Sequence, residues 1–210
     1  MFSKFADISP VVWGILAALV IVGVVFYMIT RDKKNWNARM LANASLCIAL
    51  AFVLSYVRLY KMPQGGSITL ASMLPIFMFA YAYGVGPGML VGMAYGILQF
   101  IQDAYFVHPV ELLLDYPLAF AMLGLAGLAC KSDKKWNFVP GIVLGVFGRF
   151  MCAVLSGFIF FASSAPEGQS PLMYAIIYNS TYLIPETIIC LVLAAIPQIR
   201  TAAKKMALQA

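Results

Sequence analysis

The sequence predicts an all-α, multi-pass membrane protein, and two observations support this fold class. Hydrophobic residues make up 63% of the 210 residues and charged residues only 10%, a composition typical of helical membrane proteins. Apolar runs of about 20 residues recur along the chain, and a helix of that length crosses a hydrocarbon core of about 30 Å. The weak alternating segments of a transmembrane β-barrel are absent from these runs.

Seven apolar runs predict seven membrane helices. The first, residues 10–30, ends at the basic sequence RDKK, and we expect it to be retained as a membrane helix because it is longer than the core of a signal peptide. The others are residues 40–59, 68–84, 88–102, 109–130, 138–162 and 173–197. We therefore expect an extra N-terminal helix with a basic linker at 1–39, a six-helix domain at 40–199 and a basic tail at 200–210.

The basic residues predict the orientation of the chain. Ten of the fourteen lie on one side of a seven-span arrangement, namely Arg31, Lys33, Lys34, Arg39, Lys131, Lys134, Lys135, Arg200, Lys204 and Lys205. The positive-inside rule makes this side cytoplasmic and places the N-terminus outside. Because the basic clusters separate apolar runs, they indicate topology rather than a nucleic-acid-binding face, and no nucleic-acid partner is expected.

Three connections then share the outer face, and their composition suits a pocket mouth or a lid. Their sequences are RLYKMPQGGS, QDAYFVHP and SSAPEGQSP, rich in Gly, Pro, Ser and aromatic residues. Within the runs, Gly88, Gly92 and Gly96 repeat at four-residue spacing, which lets another backbone approach closely. Ser45 and Ala49 form a second face of small residues, and internal packing is the favoured interpretation of both patterns.

Charged side chains inside the predicted spans are the strongest indication of function. An ionised group at the centre of a bilayer costs roughly 2.5–3.5 kcal/mol even on insertion scales, so each needs a partner or a role. The four candidates are Glu111, Asp115, Arg149 and Glu186. Counted from the cytoplasmic ends of their runs, Arg149 and Glu186 lie at nearly the same level, and we expect them to form an ion pair.

Asp115 lies a turn or more nearer the outer face, among aromatic and neutral polar residues. Its expected neighbours are Tyr105, Tyr116, Tyr174, Tyr178, Asn179 and Ala153. A carboxylate below an aromatic pocket predicts a cationic ligand that contains a ring. The alternative is a protonated Asp115 that bonds Asn179 and a hydroxyl group.

Glu111, one turn nearer the water, is expected to orient loop groups or the pocket mouth. A metal site made of His108, Glu111 and Asp115 is disfavoured because the spacing matches no closed metal motif. Four cysteines, Cys47, Cys130, Cys152 and Cys190, lie in or beside apolar runs without CxxC spacing, and we expect them to be small buried residues. Neither a metal nor a cofactor is expected.

The chain shows no enzyme signature. It has one histidine and lacks a Walker A loop, HExxH and GxSxG, so nucleotide-driven or hydrolytic chemistry has no support. Active transport would need energy from another chain or from an ion gradient. No convincing inverted repeat supports a stand-alone carrier, although that carrier and an intramembrane enzyme using Asp115 as acid or base stay open as alternatives.

Five segments resemble one known family in order and spacing across about residues 40–197. They are ASLCIALAFVLS, GGSITLASMLPIF, HPVELLLDYPLAFAMLGLAGL, SGFIFFASSAPEG and YAIIYNSTYLIPE. The family comprises the thiamin-specific substrate-binding subunits, or S components, of energy-coupling-factor vitamin transporters. The resemblance implies a six-helix bundle whose outer pocket is covered by the loop after its first helix, here about residues 60–68 with Gly65, Gly66 and Ser67. Residues 1–39 fall outside it.

The resemblance also implies site residues and partners. The pocket acid of the family matches Asp115, its tyrosines match Tyr116 and Tyr105, and a pair on the last helix matches Tyr174 and Asn179. Two pocket tryptophans fall near Phe161 and Gly66, and a pocket histidine of some relatives falls on Ala153. S components dock through small residues, here Ser45 and Ala49, on a transmembrane coupling protein that carries two ATPase subunits.

The expected function is thus high-affinity thiamin binding for uptake across the cell membrane, with ATP hydrolysed by partner chains. Because Ala153 offers no polar side chain, an S component for a thiamin precursor or for another vitamin is the first alternative.

Overall fold

The computed structural model describes residues 36–129 and 138–208. The expected N-terminal helix at 10–30, the basic connection with Lys131, Lys134 and Lys135, and Cys130 lie outside these residues. The described part confirms the predicted all-α membrane fold: five helices are long and apolar enough to cross a membrane, and one shorter apolar helix accompanies them.

The helices follow the predicted runs closely. They are α1 (Ala38–Tyr56), α2 (Leu74–Tyr83), α3 (Val85–Gln102), α4 (Pro109–Ala129), α5 (Phe138–Phe160), α6 (Pro171–Ala195) and α7 (Pro197–Leu208). Helix α2 is only 10 residues long and nearly all of it is buried, so it forms the centre of the core. Helix α7 begins directly after α6 and gives residues 200–208 of the expected basic tail a helical structure.

Helix α1 buries one stripe of residues and exposes apolar residues on its opposite side. The Asn37 side chain accepts a hydrogen bond from the Met40 backbone N–H at 2.8 Å and caps its first turn. Its buried residues recur every three or four positions and form one stripe, made of Met40, Ala44, Cys47, Ala51 and Ser55. Its opposite side exposes leucines and Val53, as expected of a surface that contacts lipid.

A β-hairpin replaces the beginning of the predicted run 68–84. Strand β1 (Arg58–Lys61) pairs antiparallel with β2 (Ser67–Thr69), and Gly65 and Gly66 both have φ of +85° in the turn. Only glycine adopts this left-handed backbone readily. The hairpin occupies the position expected for the lid, and α2 begins after it, at Leu74, with a proline in its first turn.

Close packing of α3 against α4 confirms the role predicted for the glycine repeat. A Cβ atom on Gly92 would lie 2.2 Å from the Phe120 carbonyl oxygen, and one on Gly96 would lie 2.4 Å from that of Tyr116. Only hydrogen fits at either place, so the two helices touch through their backbones. This contact fixes the level of Tyr116 relative to α3.

Helix α4 is irregular where it carries the predicted acid. Pro117 lies inside the helix, and Leu114–Leu118 form a π-helical turn, because proline cannot donate a backbone hydrogen bond and its ring crowds the preceding turn. Asp115 and Tyr116 both lie on this turn. Such turns occur often at functional sites.

Candidate functional site

A cavity of about 220 Å³ lies between the hairpin and the parts of α3, α4, α5 and α6 nearest to it. Binding pockets for drug-sized ligands begin at about 300 Å³, so this cavity suits a small ligand. Every residue predicted to bind substrate or to form the lid lines it: Asp115, Tyr116, Tyr105, Tyr174, Asn179, Phe161, Tyr178, Gly65, Gly66 and Ser67. Ser45 and Ala49 lie elsewhere, exposed on α1, so the internal packing favoured for this pair is wrong: the side of α1 that packs inward carries Ala44, Cys47 and Ala51 instead.

Among the described residues the Asp115 carboxylate has one hydrogen-bond donor, a hydroxyl group, which fits the hydroxyl of the predicted alternative but not its Asn179. Ser156 of α5 donates its hydroxyl hydrogen to Asp115 Oδ2 at 2.8 Å. Asn179 instead donates to the carbonyl oxygens of Ala153 and Ala175, at 3.2 and 2.9 Å. The alternative in which Asp115 bonds Asn179 is therefore wrong, because backbone carbonyls of α5 and α6 take up the amide hydrogens.

Asn179 also orients an aromatic residue that the sequence analysis did not identify. The Tyr182 hydroxyl donates to Asn179 Oδ1 at 2.8 Å, and Tyr182 lines the cavity. With Tyr174 and Tyr178 it forms a stripe at four-residue spacing along α6, which places three phenol rings on one helix face. This spacing is a signal that could have identified Tyr182.

The predicted ion pair between Arg149 and Glu186 is wrong. Glu186 accepts hydrogen bonds from Thr69 Oγ1 and, at 3.2 Å, from Ser72 Oγ. The Arg149 guanidinium lies 4.1 Å from the centre of the Phe120 ring, and its Nη1 donates to Met73 Sδ at 2.8 Å. Hydroxyl groups at the end of β2 and in the connection that follows it satisfy the carboxylate, and an aromatic face contacts the cation.

Arg149 changes the electrostatics of the cavity because it is part of the lining. The sequence predicted aromatic and neutral polar neighbours for Asp115, whereas the structure places a guanidinium and that carboxylate around the same space. Arg149 is not within ion-pair distance of Asp115, since both ion pairs among the described residues involve Asp103. Asp115 therefore keeps an uncompensated carboxylate oxygen for a ligand.

The tip of the hairpin is bonded to α6 across the cavity. The Gln64 backbone N–H donates to the Tyr178 hydroxyl oxygen at 2.9 Å, and that hydroxyl donates to the Gly65 carbonyl at 3.0 Å. The Tyr174 hydroxyl donates to Gln64 Oε1 at 2.8 Å. These bonds place the predicted lid over the cavity, and the side chain of Gln64 adds a contact that the sequence did not predict.

A cluster of charges lies beside the hairpin, and we call Arg58, Lys61 and Asp103 the Asp103 ion cluster. Arg58 Nη1 and Lys61 Nζ lie 2.5 and 2.7 Å from Asp103 Oδ2. The hydrogen bond from Lys61, together with Arg58, holds the pKa of Asp103 below its ordinary value of 3.8. The cluster joins strand β1 to the segment that follows α3, and all three residues line the cavity.

Aromatic residues form the wall between this cluster and α5. The rings of Tyr105 and Phe161 are nearly parallel, with centroids 6.3 Å apart. The Tyr116 hydroxyl lies 3.2 Å from the Asp103 carbonyl oxygen and 3.1 Å from that of Tyr105, as a donor shared between them. Tyr116 thereby ties the loop that carries Tyr105 to α4.

Glu111 orients a loop, as expected from its position. Its Oε2 accepts hydrogen bonds from the backbone N–H groups of Val107 and His108, at 2.6 and 3.1 Å. His108 Nδ1 accepts from the Val110 N–H at 3.1 Å, which completes a cap on α4. Both side chains are engaged in beginning the helix that carries Asp115.

Comparisons with known proteins give a consistent result. The family described as "Thiamine transporter protein" matches residues 41–206. The chain is 35% identical over 164 residues to the thiamine transporter ThiT of Bacillus subtilis, covering 71% of this chain and 85% of that protein. ThiT of Lacticaseibacillus paracasei is 26% identical over 140 residues, covering 59% and 69%.

A solved structure has the same fold. ThiT from Listeria monocytogenes superimposes with a TM-score of 0.68 at 20% identity, covering 80% of this chain and 96% of that one. At this identity the likeness concerns the fold alone.

Proposed function

The chain belongs to the thiamine transporter protein family, and from this premise we propose that it binds thiamin as the substrate-binding subunit of an energy-coupling-factor transporter. The observation that carries the proposal is the Asp115 carboxylate in a small, aromatic-walled cavity under a hairpin. Thiamin has a permanently charged thiazolium ring joined to an aminopyrimidine. A carboxylate together with stacking rings complements such a ligand.

The surroundings of Asp115 support a role in binding rather than in packing. Ser156 is fully buried and donates one hydrogen bond to Oδ2, which fixes the carboxylate and leaves capacity for further donors. The aromatic side chains Tyr105, Phe161 and Tyr178 are around the same space. A cation over a tyrosine or phenylalanine ring gains about 0.5–2 kcal/mol, the more so when water is excluded.

Arg149 is a cation in the lining of the cavity that contains Asp115. Its guanidinium lies over Phe120 and bonds Met73, so it is held in place without an ion pair to Asp115. The proposed role of Arg149 is to offset the charge of Asp115 at longer range. The thiazolium of a bound ligand then approaches the carboxylate rather than the guanidinium.

Uptake requires other chains in this proposal, and the protein itself is not an enzyme. The sequence contains no nucleotide-binding loop, so ATP is hydrolysed by two ATPase subunits held on a transmembrane coupling protein. Ser45 and Ala49 are exposed on α1, where small side chains allow a partner helix to approach closely. The proposed site is the cell membrane, with the N-terminus and the cavity outside and α7 in the cytoplasm.

A second candidate ligand is a thiamin precursor, and Ala153 is the observation that favours it. Ala153 lines the cavity, and its carbonyl oxygen is taken by Asn179. Because its side chain is a methyl group, Ala153 offers a ligand no polar side-chain contact. Competition between thiamin and its separate pyrimidine and thiazole halves distinguishes these candidates.

The test of the proposed function is thiamin binding by the purified protein in detergent, without partners, measured by calorimetry. We expect tight binding by the parent and at least a tenfold loss, about 1.4 kcal/mol, in Asp115→Asn. Glu167→Gln is the matched control, since Glu167 is an exposed acid outside the cavity lining. Undiminished binding by Asp115→Asn contradicts the role of the carboxylate, and a parent that binds no thiamin contradicts the function.

A further inference from the structure

The hairpin follows one face of α6 from its tip to the segment that joins it to α2. Tyr174, Tyr178, Tyr182 and Glu186 recur every four residues along this helix, so successive members are neighbours on its surface. The first two bond the tip, and Gly66 lies against the ring of the third. The 12 residues from Tyr174 to Glu186 correspond to about 18 Å of helix, and Glu186 holds the far end of this contact.

The far end of the hairpin is bonded to Glu186, and we call residues 69–73 the hairpin foot. Thr69 and Ser72 donate their hydroxyl hydrogens to Glu186 Oε1, and we call these two hydrogen bonds the Glu186 clamp. The Ser72 backbone N–H donates to Thr69 Oγ1 at 3.2 Å, which keeps the two donors together. All three residues are at most 3% exposed, so opening the clamp would leave buried polar groups without partners, which is costly.

The foot contains a residue with strained backbone. Ala71 has φ of +56° and is the one non-glycine residue within 36–129 and 138–208 with a positive φ. Alanine avoids this left-handed conformation because its Cβ atom crowds the following carbonyl oxygen, and a residue keeps it only where the surrounding contacts enforce it. Ala71 is fully buried and lies between the two donors of the Glu186 clamp. The clamp is therefore a contact from another element that holds this turn.

The position of the foot affects the cavity on two sides. On one side the foot continues from β2, whose Ser67 lines the cavity. On the other side Met73 Sδ accepts a hydrogen bond from Arg149 Nη1 at 2.8 Å, and Arg149 lines the cavity as well. A foot that shifts would move both the hairpin and the guanidinium. Glu186 itself does not line the cavity, so any effect on a ligand passes through the foot.

We propose that Glu186 is a positioning residue for the bound ligand: it clamps the strained foot, and the hairpin opens and closes over the cavity about this fixed end. The inference rests on the proposed function. The bonds of the tip and of the Asp103 ion cluster open as the ligand enters, whereas the Glu186 clamp stays formed. This role also accounts for an acid buried in a membrane helix, which is costly unless it has a partner or a function.

The experiment measures thiamin release from variants of the clamp and of the turn. Thr69→Val replaces one hydroxyl by a methyl group of similar size and leaves Glu186 its bond from Ser72. Ser72→Ala removes the other bond and provides a second clamp variant where Thr69→Val does not fold. Ala71→Gly removes the backbone penalty, since glycine adopts a positive φ readily.

Thr187→Val is the matched control. Thr187 follows Glu186 directly, and its hydroxyl donates to the Leu183 carbonyl oxygen of the same helix at 2.6 Å, so the same chemical change removes no bond to the foot. Stopped-flow displacement measures the release rate, and calorimetry measures the affinity. Hydrogen exchange of residues 67–74 in the ligand-free protein reports whether the foot opens.

We expect Thr69→Val to release thiamin about three- to tenfold faster, the range of a single hydrogen bond, and to exchange faster at the foot. Adding Ala71→Gly should restore most of this loss, because glycine keeps the turn without the clamp. The effect of Ala71→Gly should be larger in the Thr69→Val protein than in the parent, where the clamp already holds the turn, and this non-additivity identifies the two as coupled. Thr187→Val should stay within about twofold of the parent.

A release rate that is unchanged in Thr69→Val would overturn this inference while the proposed function stands, because the affinity of the parent is measured alongside. Equal effects of Ala71→Gly in both proteins would also overturn it, since the clamp and the turn would then act independently. A Thr187→Val protein that behaves like Thr69→Val would assign the effect to α6 as a whole and would overturn the inference too. A parent that binds no thiamin overturns the proposed function and the inference together.

Discussion

Two glycines with the same backbone conformation have very different surroundings. Gly66 in the hairpin turn has φ of +85°, and Gly168 in the loop before α6 has φ of +84°. A Cβ atom on Gly66 would lie 2.8 Å from the Tyr182 ring, whereas one on Gly168 would have nothing within 4 Å. Substitution of these two glycines therefore separates the effect of backbone strain from the effect of contact with the Tyr182 ring.

The first prediction compares Gly66→Ala with Gly168→Ala. Both changes carry the left-handed backbone penalty of roughly 1–2 kcal/mol, but only Gly66→Ala displaces Tyr182 from its place in the cavity wall. We expect Gly66→Ala to weaken thiamin binding at least tenfold and Gly168→Ala to leave it within about twofold, on the scale of 1.4 kcal/mol per factor of ten. Calorimetric titration of both variants provides the measurement. Similar affinities would show that the hairpin turn does not press on the site.

Single residues also show how far the sequence could predict the site. The charge of Asp115 inside an apolar run and the tyrosines around it could be predicted from residue type and spacing. Phe161 and the lid glycines were implied by the family resemblance, and all of these residues line one cavity. Ser156 could not be predicted, because nothing in the sequence indicates which hydroxyl group faces Asp115. The ion pair of Arg149 with Glu186 was wrong because the depth count compared only charged groups and omitted the hydroxyls of Thr69 and Ser72.

The hairpin is the element that closes the cavity, and it is attached at three places. Its tip bonds Tyr174 and Tyr178 on α6. Strand β1 is held by the Asp103 ion cluster. Thr69 at the end of β2 donates to Glu186, which is buried in α6. We expect a ligand to enter when some of these bonds open, and those of the exposed ion cluster cost least to break.

The second prediction is that Asp103→Asn loosens the hairpin. Asp103 is 38% exposed, and exposed ion pairs contribute about 0.2–1 kcal/mol each. We therefore expect the variant to release thiamin roughly two- to tenfold faster at low salt. Stopped-flow displacement of bound ligand measures this rate, and Glu167→Gln again controls for the loss of one outer negative charge. A release rate that is unchanged in Asp103→Asn would indicate that the tip and Thr69 hold the hairpin closed without the ion cluster.

The pH dependence of thiamin release by the parent and by Asp103→Asn follows from the direction of the pKa shift of Asp103. Lys61 and Arg58 hold the pKa of Asp103 below 3.8, so the cluster contributes above the ordinary pKa and is lost only as the pH falls through the lowered one. The difference in release rate between the parent and Asp103→Asn should stay constant across about pH 5–8. A difference that shrinks within this range would place the titration on another group.

At the level of elements, hydropathy predicted helices well and the hairpin poorly. The ends of α3, α5 and α6 agree with the predicted runs within a few residues. The run 68–84 began too early because Ile68 and Leu70 are as apolar as a helix, although the first lies in β2 and the second in the connection that follows. Apolar character alone cannot distinguish a short strand from a helix start.

Across the whole molecule, the cavity and the basic helix α7 lie at different ends of α6. The cavity residues of α6 lie between Tyr174 and Tyr182, and α7 follows its last residue, Ala195. The 13 residues from Tyr182 to Ala195 correspond to about 20 Å of helix. Lys204 and Lys205 are exposed on α7, and the positive-inside rule then predicts that basic charge and the ligand cavity lie on opposite sides of a membrane.

The third prediction tests this orientation by labelling single cysteines in intact cells. The native cysteines Cys47, Cys152 and Cys190 are buried, and replacing all four native cysteines by serine or alanine removes any background. Pro63→Cys on the exposed part of the hairpin should react with a membrane-impermeant maleimide from outside. Lys205→Cys on α7 should react only after the membrane is permeabilised.

The two positions control for each other, because both are exposed on the protein and differ only in the side of the membrane. Bound thiamin adds a further discrimination, since a hairpin held closed over the ligand should slow the reaction at position 63 and leave that at position 205 unchanged. Labelling of the α7 position from outside would reverse the orientation. The cavity would then open to the cytoplasm, and uptake by capture of external thiamin would be contradicted whatever the purified protein binds.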